Sequence, residues 1–152
     1  MKLTGKNRFL CGAVPKDING VGVSTPYINM GRVDFAAFMV SIGVSDAIAA
    51  ITLTQAKDAA GTGAKSLKLT QYHENVGLST DALTKVEATG DTFNTVATAN
   101  NLYVVEADSR DLDEDFGFVR LNVSDPGASV FCAIDIVADS GRFMEVDAPT
   151  LL

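Results

Sequence analysis

Val33-Asp-Phe-Ala-Ala-Phe-Met-Val-Ser-Ile42 is the stretch on which the fold turns. It contains no glycine and no proline, and β-branched and aromatic side chains suit a pleated backbone. With the two-residue period of a strand, Phe35, Ala37 and Met39 lie on one face and Ala36, Phe38 and Val40 on the other. Both faces are apolar. Such a strand is central in its sheet, or one of its sides meets a partner subunit.

Working outward, the chain holds roughly ten short apolar stretches separated by Gly, Asn, Asp and Pro, the pattern of an all-β sandwich or barrel. Towards the C-terminus three of them are clear. Leu102–Ala107 puts Tyr103, Val105 and Ala107 on one face. Phe118–Val123 sets Val119, Leu121 and Val123 against Phe118, Arg120 and Asn122. After the tight turn Asp125-Pro-Gly127, Val130–Val137 puts Val130, Cys132, Ile134 and Ile136 inward. Ile48–Ala56 and the alternating Leu67–Tyr72 read as strands, joined by a turn-like loop at 57–65 and followed by a polar stretch, His73–Asp81. Residues 83–88 suit a short capped helix or a strand; Gly90 and the Thr-rich 92–98 run that follow favour a strand.

Towards the N-terminus, Phe9–Val14 is a short strand closed by Pro15 and the Asp17, Asn19, Gly20 cluster. Gly22 and Pro26 interrupt Val21–Met30, which reads as an edge strand or an extended arm. The expected architecture is one antiparallel β-sandwich domain over residues 1–152, of jelly-roll type. An N-terminal arm (about 1–30) and a C-terminal tail (about 139–152) flank it. The tail is either a disordered end or an arm that packs on a neighbour.

A chain of 152 residues with a 47% hydrophobic fraction can bury a full core. A formal charge of −7, with no Lys/Arg cluster, disfavours nucleic-acid contact, which gains from releasing counterions around phosphate. No apolar run is long enough for a membrane helix, and Phe9–Val14 is too short for a signal-peptide core. Synthesis in the cytoplasm is expected. Cys11 and Cys132 would pair only if the first and last strands were neighbours; the reading adopted is two reduced, buried thiols.

The candidates for chemistry are weak. In the acidic segment 106–117, Asp111, Asp113 and Asp115 have the spacing of half a calcium loop. Glycine then falls one position late, and Asn122 stands where the closing Glu belongs. A solvated loop that discourages edge pairing is the better reading. His73, the one histidine, has Glu74 beside it but no fixed nucleophile. One His and two distant Cys make no zinc set. Gly61-Thr-Gly63-Ala-Lys65-Ser66 lacks the phosphate-loop spacing, and Asn122-Val-Ser124 is only a formal glycosylation match. No catalytic residue, metal or cofactor is expected.

The order of segments resembles a family of small virion proteins of tailed bacteriophages, usually encoded close to the major capsid protein. The resemblance rests on the strand Val33–Ile42, on Ile51-Thr-Leu-Thr-Gln-Ala-Lys-Asp-Ala-Ala-Gly-Thr-Gly-Ala-Lys-Ser-Leu67, and on the block from Leu102-Tyr-Val-Val-Glu-Ala to Asp111-Leu-Asp-Glu-Asp-Phe-Gly-Phe-Val119. Together these span most of residues 30–138. The resemblance implies a jelly-roll sandwich that decorates or cements the outer surface of a capsid as an oligomer, typically a trimer, with the major capsid protein as partner. It transfers no catalytic motif.

From the residues themselves, the interface with capsid or neighbouring copies is expected at Phe35, Phe38 and Met39, with Phe143 and Leu151 from the tail. The alternatives are another phage head or tail component, or a carbohydrate- or host-surface-binding sandwich. The last would want exposed aromatics; the chain offers Tyr27, Tyr72 and Tyr103 and no Trp.

Overall fold

A computed structural model describes residues 7–139. Its strands are β1 (Asn7–Asp17), β2 (Val23–Ser24), β3 (Ile28–Asn29), β4 (Phe35–Ser45), β5 (Ala50–Ala56), β6 (Lys65–Ser66), β7 (Gln71–Asn75), β8 (Thr84–Glu87), β9 (Thr92–Asn94), β10 (Asn101–Asp108), β11 (Phe118–Val123) and β12 (Val130–Asp139). Every pairing is antiparallel. Sheet A runs β1-β12-β4-β10-β7-β8; sheet B runs β2-β11-β5-β6, with β3 on β11 and β9 on β5. Apart from the β7–β8 hairpin and the split edges of sheet B, successive strands alternate between the sheets. That alternation is consistent with the jelly roll expected from the sequence.

The core lies between the sheets. Sheet A contributes Phe38, Val40, Tyr103, Val105, Ile134 and Ile136; sheet B contributes Ile51, Leu53, Val119 and Leu121, all essentially inaccessible to water. The Tyr103 hydroxyl accepts from the Val96 amide at 3.0 Å, which keeps its polar end satisfied inside the core. The inward residues of β10, β11 and β12 are those the alternation assigns.

Three expectations need correction. Residues 7–30 are not a separate arm: β1 forms a long ladder with β12, and β2 and β3 lie on β11. Pro26 only splits the second stretch into two short edge pieces. The seventh strand falls at 71–75 rather than 67–72. Leu67 and Leu69 are buried between exposed neighbours, so an extended segment alternates there with only one backbone bond to β5, Leu67 N–H to Leu53 O at 2.9 Å. The cysteines are also not alike, because Cys132 is buried and Cys11 exposed. Their strands are neighbours, as pairing requires, but Cys11 faces Asp135 and Cys132 faces Lys16 in the ladder, and both thiols are free.

The turn after β1 is tied to the start of β12. Asp17 accepts from Asn19 N–H at 3.0 Å, from the Ser129 hydroxyl at 2.9 Å and from Val130 N–H at 3.2 Å. These bonds to the charged form hold its carboxyl below the ordinary range. Gly22 closes the turn with φ +63°, where a Cβ would stand 2.6 Å from the Val123 carbonyl oxygen, so only glycine fits.

Candidate functional site

The two outer faces of the sandwich differ in kind. On sheet B, one row across β2, β11, β5 and β9 reads Ser24, Asn122, Thr52 and Thr92. These side chains bond to one another: Ser24 Oγ donates to Asn122 Oδ1 at 2.7 Å, Asn122 Nδ2 to Thr54 Oγ1 at 2.5 Å, and the Thr52 and Thr92 hydroxyls lie 2.9 Å apart. The next row carries Arg120, Thr54 and Ser66. The Arg120 guanidinium stacks over the Tyr27 ring, 4.7 Å from its centroid. The hydroxyl and amide groups of the first row are paired within the face, while the Nε of Arg120 is buried without a hydrogen-bond partner.

Sheet A turns a different surface outward. One row across β1, β12, β4 and β10 reads Phe9, Val137, Ala37 and Glu106. The next reads Cys11, Asp135, Met39 and Val104, and continues to His73 and Lys85 on β7 and β8. A third holds Ala133, Ser41 and Leu102. Phe9 and Phe131, at the β1–β12 side, are 50% and 47% exposed, high for aromatic side chains outside any core. An antiparallel sheet with one solvated face should alternate apolar with polar. On β4 and β12 the alternation is instead apolar against mostly apolar.

The expected interface residues therefore separate. Phe35 stands on this face at its corner and is 37% exposed; Met39 lies at its centre, half-buried by its neighbours. Phe38 points the other way and is 0% exposed, so it belongs to the core and cannot meet a partner. Phe143 and Leu151 lie outside the described residues. Phe9, Leu102, Val104, Phe131 and Val137 belong to the same surface, although none was expected there. Finding them needs the strand order, because the alternation of each strand shows two faces and not which strands lie side by side.

At the corner near Phe35 the face dips into a cleft of about 330 Å³, lined by Thr70, Gln71, His73, Glu106, Asp108 and Asp111 as well as Phe35. Asp108 is engaged by Arg110, whose Nε and Nη2 donate to its two oxygens at 2.9 and 2.6 Å while its backbone N–H donates at 2.9 Å. Arg110's side-chain bonds, then that backbone bond, hold the carboxyl down at about 2.

Further along the acidic segment, Asp113 is structural. Gln55, buried on β5, donates to Asp113 Oδ2 at 3.0 Å and accepts from Asp113 N–H at 2.9 Å. Lys65 Nζ lies 2.5 Å from the same carboxylate oxygen and 4.4 Å from the centre of the Phe116 ring. Asp113 thus locks the loop onto sheet B. Among the described residues no group of three His, Cys, Asp or Glu side chains converges as metal ligands would.

The tyrosines offer little to a sugar. Tyr27 and Tyr103 are buried, and Tyr72 stacks on Phe93 with ring centroids 3.7 Å apart. Comparison with models of known families, with curated proteins and with solved structures finds no match to this chain.

Proposed function

We propose that this chain is a structural virion protein that binds the outer surface of a tailed-phage capsid and cements the shell, acting as an oligomer and without enzymatic activity. The observation that carries the reading is the outward face of sheet A. The sandwich turns outward a largely apolar surface, with Phe9, Phe35 and Phe131 exposed and Met39, Val104 and Val137 half-buried, where a solvated sheet would carry polar side chains. The sequence resemblance supplies the setting, a small β-sandwich encoded near a major capsid protein. The alternation of strands between sheets supports a jelly-roll form of that sandwich.

The mechanism is mass action. A subunit that binds the assembled lattice but not loose shell proteins shifts the equilibrium toward the lattice. An oligomer, in this reading a trimer, contacts several lattice subunits at once, and linked weak contacts act together. The carbohydrate-binding alternative is less well supported, since Tyr27 and Tyr103 are buried and Tyr72 is stacked inside.

The test is sedimentation of purified full-length protein with shells assembled from the virion's major capsid protein. Saturable binding at a fixed ratio to capsid subunits, with a higher melting temperature of the shell, is expected. Absence of cosedimentation would overturn the reading.

A further inference from the structure

Covering an apolar surface imposes conditions on the charges within it. Two carboxylates sit among the outward apolar residues of sheet A: Asp135 between Cys11 and Met39, and Glu106 beside Ala37. Among the described residues neither has a cationic partner in an ion pair. Two cations at the β10–β8 side of the sheet are already engaged, Arg110 with Asp108 at 2.6 Å and Lys85 with Glu87 at 3.1 Å. A partner that excluded water from Asp135 and Glu106 without pairing them would meet a desolvation cost larger than the gain from the apolar contacts around them.

A second copy docked by the same face is poorly suited. It would bring its own Asp135 and Glu106 into the same layer, and among the described residues of these rows the one Lys or Arg it would bring is Lys85, already bonded to Glu87. Sheet B's outer face offers hydroxyls and a single cation, Arg120, whose guanidinium is stacked on Tyr27 with its Nε buried and unpartnered, and it offers no apolar side chains in those rows to meet Phe9, Met39 and Val137. The complement this face lacks is a surface combining apolar side chains with accessible Lys or Arg.

We infer that the outer face of sheet A is a docking surface for a different protein, and that its partner presents Lys or Arg side chains set among apolar ones, received by Asp135 and Glu106. The inference rests on the capsid reading and deepens it: the shell contributes the cationic, apolar patch, and contacts between copies of this chain use other surfaces. Attraction between an acidic face and a basic patch also accelerates encounter, so association is salt-dependent.

The experiment uses the full chain and shells assembled from the major capsid protein. Wild type is compared with Asp135→Lys/Glu106→Lys, with the near-isosteric Asp135→Asn/Glu106→Gln, and with Thr92→Lys on sheet B's outer face. Circular dichroism establishes that each variant is folded. Wild-type affinity should fall as salt rises. The Lys pair should weaken binding at least about thirtyfold and the amide pair about tenfold, since each leaves shell cations unpaired, while Thr92→Lys binds as wild type. The amide pair keeps the test decisive if the Lys pair fails to fold. If wild type binds shells and folded face variants bind equally well, the inference fails and the capsid reading stands. If the face variants lose self-association but keep shell binding, the face joins copies of this chain and the inference is overturned. If wild type does not bind shells, the reading falls and the inference falls with it.

Discussion

The outer face of sheet B and the outer face of sheet A are built from strands of the same domain, yet they solve opposite problems. Sheet B's face closes its hydrogen bonds among its own side chains: Ser24 to Asn122, Asn122 to Thr54, Thr52 to Thr92. Sheet A's face carries Phe9, Met39, Val104 and Val137 in adjacent rows, interrupted by the carboxylates Asp135 and Glu106. The inward residues of both sheets fill the core, so this second apolar surface contributes to the isolated domain only through cross-strand contacts. Under the proposed function, stability and attachment fall to opposite sides of the same strands, most plainly on β4, where Phe38 points in and Met39 points out.

The sharpest way to break that comparison is to cut neighbouring residues of β4. Phe38→Ala should cost about 3–5 kcal/mol, the range for removing a fully buried aromatic ring, read as a drop in urea midpoint. Met39→Ser should cost under about 1 kcal/mol while weakening shell binding. Equal losses of stability at the two positions would erase the distinction between the sides.

A second way is to make sheet B's face resemble sheet A's. Thr52→Ile with Thr54→Ile removes two hydroxyls of the ladder and adds exposed apolar surface. Stability should move by about 1 kcal/mol or less, since β-branched residues replace one another on a strand. Light scattering should show increased self-association. A double variant as dispersed as wild type would mean that hydroxyl patterning is not what keeps this face free.

The smallest effect is a pH dependence. The rows described on sheet B's outer face contain no titratable group except Arg120, whereas the corner of sheet A holds Asp108. Its folded carboxyl lies at about 2, below the ordinary 3.8, because Arg110 bonds to the charged form. Its contribution to stability is therefore complete above about 3.8 and is lost as pH falls towards 2. Arg110→Gln should flatten the stability curve slightly across that window and leave neutral pH nearly unchanged, because the pair is solvent-exposed. An unaltered acid limb in urea titrations would show that the pair contributes nothing.

How much of this was legible in the sequence follows from what alternation can encode. In β10, β11 and β12 one parity is strongly apolar, so Tyr103, Val105, Leu121, Ile134 and Ile136 could be placed in the core from the sequence alone. In β4 both parities are apolar, and nothing local tells Phe38 from Met39; only pairing with β10 and β12 decides which side faces sheet B. The outer apolar face of sheet A is hidden in the sequence for the same reason. Phe9, Val137, Met39 and Val104 are far apart in the chain, and they become one surface only through the order β1-β12-β4-β10. The acidic segment misled in another way. Its Asp spacing matches half a calcium loop and its charge reads as a solvated loop, whereas Asp113 is fastened to Gln55, a residue 58 positions earlier.

Cys11 reports on the central claim directly. It lies on sheet A's outer face next to Asp135 and is exposed, whereas Cys132 is buried and its thiol is pushed up to about 11 by that burial. Alkylation of the native, folded chain should therefore label Cys11 and spare Cys132. The deciding measurement is the rate of Cys11 alkylation in the free protein and in the protein bound to saturation on shells. Binding should slow the reaction at least about tenfold, because a covered face keeps the alkylating reagent from the thiol. A bound protein whose Cys11 reacts as fast as the free one would show that sheet A's outer face remains open to water and that attachment lies elsewhere.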